Sequence, residues 1–148
     1  FPAWSGCFVD GDGDIALRHR GGAQTVVSVQ IPRAAEAEIG SLTVAGESGV
    51  ATSGTGVHRW GGRHHLIDPR TGEPSNSGIA QATVVADSAR RAEAWAKAIV
   101  IGGPAAIRRA EAAGIARIVA VADGGSIVTA PLIGTSSASF SPHESVSA

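Results

Sequence analysis

The amino-acid sequence predicts an α+β protein with a largely antiparallel sheet and two packed helices. Most of the first 86 residues consist of short strand patterns separated by glycine-rich turns, two helix patterns then follow in direct succession, and further strand patterns come after them. Strands and helices that occur in separate runs are typical of the α+β class. The length of 148 residues is that of a single domain.

The region before the helices is predicted as strands and turns. A strand around Cys7 leads into a turn at Asp10–Asp14 and a return strand at Ile15–Leu17, because apolar runs bounded by Gly and Asp are typical of hairpins. The other predicted strands are Gln24–Ile31, Ser41–Ala45, Gly49–Gly54, Val57–Trp60, His64–Ile67 and Gln81–Ala86. The stretch Ala34–Ile39 is predicted as a short helix.

Apolar spacing and end signals predict two longer helices. Ala89–Val100 carries apolar residues at three- and four-residue intervals, and the preceding Asp87-Ser88 pair offers good N-caps. Gly102-Gly103 ends this helix, and Pro104 begins a second one that runs to Ala113, with Gly114 as its stop.

Two more strands and a tail complete the predicted domain. Ala116–Ala122 and Ser126–Thr129 are strand patterns that meet at a Gly-Gly turn. Residues 1–134 are assigned to the domain. Residues 135–148 are predicted as a loose, Ser-rich tail because they contain almost no bulky side chains.

Composition and charge exclude several classes of function. The formal net charge is −1, which provides no basic surface for nucleic acid or for an anionic membrane. The single cysteine, Cys7, excludes a disulfide framework and a cysteine-built zinc site. No apolar run has the roughly 18 residues of a membrane span. The chain contains no Met, so we expect it to begin inside a longer or processed protein.

Two short polar segments are candidate ligand loops. Asp10–Asp14 is not an EF-hand, because the sixth and twelfth positions hold Ile15 and Gly21. It is either a hairpin turn or a loop whose small residues let a flat ligand approach backbone N–H groups. Thr52 and Ser53 place hydroxyls next to glycines at a strand end, which suits a phosphate or simply a hydroxyl-rich turn.

The segment His64–Gly72 is the strongest candidate for chemistry. An imidazole titrates near pH 6.5 and can transfer protons at neutral pH. Strand alternation places His64 and His65 on opposite faces. On this pattern alone His65 is as readily structural as functional, and Asp68 can cap the turn that follows.

Several blocks together resemble the ApbE family of flavin transferases. Three of them are Gly49-Val-Ala-Thr-Ser-Gly54, His65-Leu-Ile-Asp-Pro-Arg-Thr-Gly-Glu-Pro74 and Gln81-Ala-Thr-Val-Val-Ala-Asp-Ser-Ala89. Ala92-Glu-Ala-Trp-Ala-Lys-Ala98, followed by Gly102, lies where that family carries Ala-Asp-Ala-Leu-Ala-Thr-Ala. Val9–Ala16 is similar to the family's Gly-Gly-Asp segment, with Asp12 at the first glycine. The resemblance covers Phe8–Ala122 in unbroken order.

The resemblance implies an FAD:protein FMN transferase of T-fold-like architecture. Such enzymes split the diphosphate of FAD, release AMP and leave FMN on a Thr or Ser hydroxyl of an acceptor protein, normally with Mg²⁺. It implies that His65 is the base or the group that orients phosphate, and that Asp68 holds the turn positioning His65. The residues implied for the flavin or phosphate pocket are Asp12, Gly13, Asp14, Thr52, Ser53, Gly54, His65 and Asp68.

The sequence departs from the family pattern at the metal. The family's helix presents Asp and, four residues later, Thr as magnesium ligands, and those positions here are Glu93 and Lys97. Glu93 can offer oxygen to a hard cation, whereas a protonated Lys97 cannot. Lys97 is the only lysine among 12 cationic residues, and we expect it to contact the FAD diphosphate in place of metal charge or beside it. The alternative is a surface i,i+4 pair worth about 0.2–0.5 kcal/mol.

Members of the family are considerably longer, so this chain resembles their C-terminal half. We therefore expect the missing N-terminal half as a partner, besides the acceptor protein. Two other functions stay open: a non-catalytic FAD-binding protein of the same fold, and a half-domain whose pocket is incomplete alone. The resemblance also implies a bacterial protein. Members are often anchored at the outer face of the cytoplasmic membrane, by a segment that would precede this chain.

Overall fold

The computed structural model describes residues 5–30, 38–130 and 138–143, which form three layers. A six-stranded sheet in the order β1-β2-β5-β8-β9-β10 lies between two helices and a three-stranded sheet of order β11-β4-β3. Every neighbouring pair of strands is antiparallel. The α+β class with a largely antiparallel sheet and two helices is therefore confirmed.

The elements follow the chain in a simple order. The strands are β1 (Gly6–Asp10), β2 (Ile15–His19), β3 (Gln24–Gln30), β4 (Glu38–Ala45), β5 (Glu47–Gly54), β6 (Arg59–Trp60), β7 (Arg63–His64), β8 (Ile79–Ala86), β9 (Arg117–Ala122), β10 (Ile127–Ala130) and β11 (Ala138–Pro142), and the helices are α1 (Ala89–Gly102) and α2 (Pro104–Ala112). Strands β6 and β7 form a separate small hairpin. No helix in the described ranges is long and apolar enough to span a membrane.

Helix α1 packs on the central strands β5 and β8. Its buried stripe consists of Ala92, Ala96, Ile99 and Val100, as the three- and four-residue spacing predicts. The small side chains let the helix lie close to the sheet, and Gly49 marks the closest approach, because a Cβ there would lie 2.0 Å from the backbone nitrogen of Ala89. This contact fixes where α1 begins and so where its later turns lie.

The ends of the helices agree with the predicted signals in position. Ser88 is the N-cap of α1, but its hydroxyl donates to the Asp87 carboxylate at 3.2 Å and caps no backbone N–H. Gly103 adopts a positive φ of 67° between the helices, which a glycine tolerates without strain. Pro104 then begins α2.

The opposite face of the large sheet packs against the three-stranded sheet. Its core consists of bulky aliphatic side chains, with Ile39, Leu42 and Val44 of β4 meeting Val50, Val85 and Val119 of the large sheet. Strand alternation explains the division: in β8, Val84 faces the helices while Val85 faces the second sheet.

Three predictions about elements differ from the structure. Glu38 and Ile39 begin β4 and are not helical; the rest of that predicted helix lies outside the described residues. The strand predicted at His64–Ile67 ends at His64, because the ring nitrogen Nδ1 of His64 accepts the N–H of Leu66 at 3.3 Å and the chain turns away.

The Ser-rich tail also differs from the prediction where it is described. Ala138–Pro142 forms β11 and pairs with β4, whose outer edge would otherwise leave backbone groups unpaired. Ala138 is buried, and Phe140 packs against the same core. Residues 135–137 and 144–148 lie outside the described part of the chain.

Candidate functional site

Charged or titratable side chains from three segments lie within electrostatic reach of Lys97 beside α1. They are Asp14 after the β1–β2 turn, His65 after β7, and Glu93 and Lys97 on α1. The charges of Glu93 and Lys97 shift the pKa of Asp14, and the charge of Lys97 shifts the pKa of His65. We call these four residues the Lys97 cluster.

Glu93 and Lys97 form an ion pair one helical turn apart. The Nζ atom of Lys97 donates to the Oε1 atom of Glu93. The two side chains are 42% and 44% exposed, respectively, so both charged groups remain open to a ligand. An ammonium has three N–H donors, and one donor to Glu93 leaves two for other acceptors.

Asp14 faces this pair from the N-terminal hairpin. Partial burial raises the pKa of its carboxyl above the ordinary value, the charge of Glu93 raises it further, and the ammonium of Lys97 lowers it. The turn that places Asp14 is held by the carboxylate of Asp10, which accepts the N–H of Gly13 at 2.9 Å. Asp12 has a positive φ of 65° at the tip of this turn and adds another negative charge near Asp14.

His65 lies against a second imidazole. The rings of His58 and His65 are in edge-to-face contact, with their centroids 5.2 Å apart. Desolvation lowers the pKa of His65, and the charges of His58, His64 and Lys97 lower it further, while a hydrogen bond to the backbone of His58 raises it. A neutral imidazole at neutral pH can accept a proton.

Asp68 organises the turn after His65 through hydrogen bonds. Its Oδ1 accepts the backbone N–H of Arg70 at 2.9 Å, and its Oδ2 accepts the guanidinium NH2 of Arg70 at 2.6 Å. These hydrogen bonds hold the pKa of the Asp68 carboxyl below its ordinary value. Its carbonyl accepts the N–H groups of Thr71 and Gly72, and closure of the turn is the role that turn chemistry predicts for Asp68.

The hydroxyl segment of β5 is divided between the two faces of the sheet. Ser53 is buried and shares the helix-facing side with Ala51. Thr52 points to the other side, where its Oγ1 lies 2.9 Å from Oγ1 of Thr83. The structure therefore brings Ser53, but not Thr52, to the face that carries α1. Gly54 ends the strand, and a Cβ there would lie 3.2 Å from the Ala80 carbonyl.

The residues present do not by themselves fit a divalent metal. Within the described ranges, no three or more His, Cys, Asp or Glu side chains converge as ligands. Magnesium prefers an octahedral oxygen shell, whereas the carboxylate of Glu93 is paired with an ammonium.

His58 is a neighbour that sequence reasoning missed. The signal was present, because the Gly61-Gly62 turn sets Trp60 opposite Arg63 and Arg59 opposite His64. One further step in this antiparallel register places His58 opposite His65.

A polar cavity of about 320 Å³ lies elsewhere, between the β6–β7 hairpin and the start of β8. Its lining includes Arg59, Arg63, Asn76 and Asp123, and His64 forms part of its wall. None of the four residues of the Lys97 cluster lines it. The charged side chains of the Lys97 cluster therefore lie beside α1 and outside this cavity.

Comparison with known proteins gives consistent matches. The ApbE family model matches residues 3–119. FAD:protein FMN transferase of Escherichia coli (strain K12) is 31% identical over 97 residues, which are 60% of this chain and 28% of that protein. The protein of the same name from Klebsiella pneumoniae (strain 342) is 36% identical over 88 residues, 52% of this chain and 27% of that protein. The matched part thus spans little more than a quarter of these relatives.

Solved structures agree on the fold. The ApbE protein of Thermotoga maritima superposes with a TM-score of 0.72 at 27% identity, over 83% of this chain and 42% of that one. Flavin transferase ApbE of Vibrio cholerae, at 24% identity, shares the fold with a TM-score of 0.62, over 83% of this chain and 41% of that one.

Proposed function

The chain belongs to the ApbE family, and we propose on that premise that it provides the C-terminal half of an FAD:protein FMN transferase. In this reaction FMN moves from FAD to a Thr or Ser hydroxyl of an acceptor protein, and AMP is released. The observation that carries the proposal is that the ammonium of Lys97, which is paired with Glu93 on α1, lies within electrostatic reach of both Asp14 and His65 from two other segments. They offer a proton acceptor and a cation, which a phosphorus-centred transfer needs.

The proposed step is a nucleophilic displacement at phosphorus. The acceptor hydroxyl oxygen attacks the phosphorus nearer the riboflavin, and the bond from that phosphorus to the bridging oxygen breaks. The hydroxyl proton passes to the neutral imidazole of His65, and AMP leaves with the bridging oxygen. The product is FMN joined to the acceptor by a phosphoester.

Lys97 contacts the diphosphate in this proposal. Two of its ammonium donors remain after the bond to Glu93, and the side chain is 44% exposed, so an incoming anion can reach it. Hydrogen bonds between an ammonium and a phosphate oxygen are charge-assisted and stronger than neutral ones.

The remaining candidate residues surround the ligand in this proposal. Those proposed to line the flavin or phosphate pocket are Asp12, Gly13, Asp14, Ser53 and Gly54, whereas Thr52 lies on the opposite face of the sheet. Asp68 keeps the turn after His65 closed through its bonds to Arg70. The proposed step does not use Mg²⁺. The carboxylate of Glu93 is paired with Lys97, and no three His, Cys, Asp or Glu side chains among the described residues come together as metal ligands.

Intact-mass measurement tests the proposed reaction. The 148-residue chain is incubated with FAD and an acceptor that carries the sequence Asp-x-x-Ser/Thr-Gly-Ala-Thr, with and without the separately expressed N-terminal half of a longer relative. We expect the acceptor to gain the mass of one FMN, with AMP released in equal amount. An acceptor whose modified hydroxyl residue is replaced by Ala is the matched control and should gain nothing.

The other outcomes separate the alternatives. Tight FAD binding without mass gain under any condition would favour a non-catalytic FAD-binding protein. Transfer only after addition of the N-terminal half would identify a half-domain that is incomplete alone. Neither binding nor transfer in both conditions would refute the proposed function.

The pH profile of transfer should report His65. Because desolvation and neighbouring positive charge lower its pKa below 6.5, the proton-accepting form is present at neutral pH and disappears as the pH falls through the lowered pKa. We expect the transfer rate to stay level in the neutral range and to decline as the pH falls through the lowered pKa of His65. Lys97→Met removes one cause of the lowered pKa and should move the decline to higher pH. A profile that His65→Gln leaves unchanged would exclude His65 as the base.

A further inference from the structure

We propose that Lys97 is the resident cation of this site, so that the chain binds the diphosphate of FAD without a divalent metal ion. This inference rests on the proposed function for the identity of the ligand. Its basis is the placement of an ammonium where the family pattern calls for a metal ligand, in direct contact with the carboxylate that would serve as the other ligand.

The Glu93–Lys97 pair makes a poor place for a divalent ion. Glu93 already accepts a hydrogen bond from the ammonium of Lys97, and a metal on the same carboxylate would stand beside a like charge. Magnesium is usually held by one or two carboxylates together with substrate phosphates and water. A fixed ammonium competes with a metal ion both for the carboxylate of Glu93 and for the phosphate oxygens of the substrate.

The surrounding charges suit an ammonium better than a metal. Asp14 and Glu93 both stand near Lys97, so one cation is shared by two carboxylates with donors left over for phosphate.

The same helix offers a matched control. Asp87 and Arg91 form an i,i+4 ion pair at 2.7 Å near the start of α1, with the same spacing and charge order as Glu93 and Lys97. Arg91 also donates to the carbonyl of Ala113 and contributes to none of the pKa shifts in the Lys97 cluster. Arg91→Met therefore removes an i,i+4 ion pair at the start of α1, together with the bond to Ala113, and leaves the Lys97 cluster intact.

FAD binding followed by flavin fluorescence provides the first test. We expect the affinity of the chain for FAD to be the same in excess EDTA and in MgCl₂. Lys97→Met should weaken binding by about tenfold or more, the scale of a lost hydrogen bond to a charged group, and Arg91→Met should not. An affinity that EDTA lowers and Mg²⁺ restores, or that Lys97→Met leaves unchanged, would overturn the inference.

Manganese binding measured by electron paramagnetic resonance provides a test that does not need FAD. The wild-type chain should leave Mn²⁺ free, and Lys97→Met, which releases Glu93, should bind more of it. A bound Mn²⁺ signal in the wild type that Glu93→Gln removes would overturn the inference, as would an equal amount of bound Mn²⁺ in the wild type and Lys97→Met. Failure of FAD to bind in every buffer would count against the proposed function, while the manganese result would still decide the metal question.

Discussion

The two faces of the six-stranded sheet are packed by opposite means. On the helix side, glycine and alanine bring α1 close to the strands, and a Cβ on Gly49 would overlap the helix backbone. On the other side, leucine, isoleucine and valine fill the space between two sheets. A larger side chain at Gly49 on the helix face would therefore clash, whereas a smaller side chain in the core of the second face would leave a cavity.

The difference matters for the candidate site because only the helix face carries it. Glu93 and Lys97 project from α1, whose position depends on the close contact at Gly49. The opposite face fixes the sheet itself and contributes no member of the Lys97 cluster. Substitutions on the two faces should consequently destabilise the protein for different reasons, a steric clash on the helix face and a cavity on the other.

Enlarging Gly49 should have the largest effect. In Gly49→Val, the new side chain would meet backbone atoms of Ser88 and Ala89 at 2.0–2.4 Å, and backbone cannot rotate away as a side chain can. We expect a loss beyond the about 3 kcal/mol that ordinary overpacking costs, enough to prevent folding in a marginally stable domain. Circular dichroism and urea unfolding measure it. Gly124→Val is the matched control, since nothing lies within 4 Å of a Cβ at that turn.

Truncating Leu42 should weaken the packing between the two sheets and cause the next largest loss of stability. Leu42 is fully buried between the two sheets, so Leu42→Ala leaves a cavity and should cost about 2–5 kcal/mol of unfolding free energy. Val26→Ala on the neighbouring strand should change stability by no more than about 0.5 kcal/mol, because that side chain is 66% exposed. Equal losses in the two variants would show that the second sheet is not packed as described.

The contrast between the faces also separates what the sequence could predict from what it could not. The stripe of α1 and the hairpin at Asp10–Asp14 depend on neighbouring residues, so periodicity and turn chemistry located them. The pairing of Glu93 with Lys97 follows from helical spacing alone. The family resemblance supplied the likeness of the whole fold, which periodicity alone would have left at the α+β class.

Contacts between distant segments were beyond local patterns. Strand β11 lies in a Ser-rich segment with little strand propensity, and it pairs because β4 offers an open edge about 100 residues earlier. The approach of Asp14 to α1 depends on β2 pairing with β5, on which the helix packs. The division of Thr52 from Ser53 follows from alternation, but which side carries the helix needed the tertiary structure.

The smallest expected effect concerns the only hydroxyl pair described between β5 and β8. Thr52 and Thr83 lie directly opposite each other on the face away from the helices, with their Oγ1 atoms 2.9 Å apart. A cross-strand pair of this kind contributes about 0.2–1 kcal/mol. A double-mutant cycle with Thr52→Val and Thr83→Val, followed by urea unfolding, should return a coupling energy in that range.

FAD affinity of the same variants shows whether Thr52 serves the ligand as well as the sheet. If Thr52 lines the pocket as the family resemblance implies, Thr52→Val should weaken FAD binding while Thr83→Val, which removes the same interstrand bond from its other end, should not. Equal affinities in the two variants would make the pair purely structural. The candidate site would then draw its β5 contribution from Ser53 on the helix side alone, and the boundary between the two faces would also be the boundary of the site.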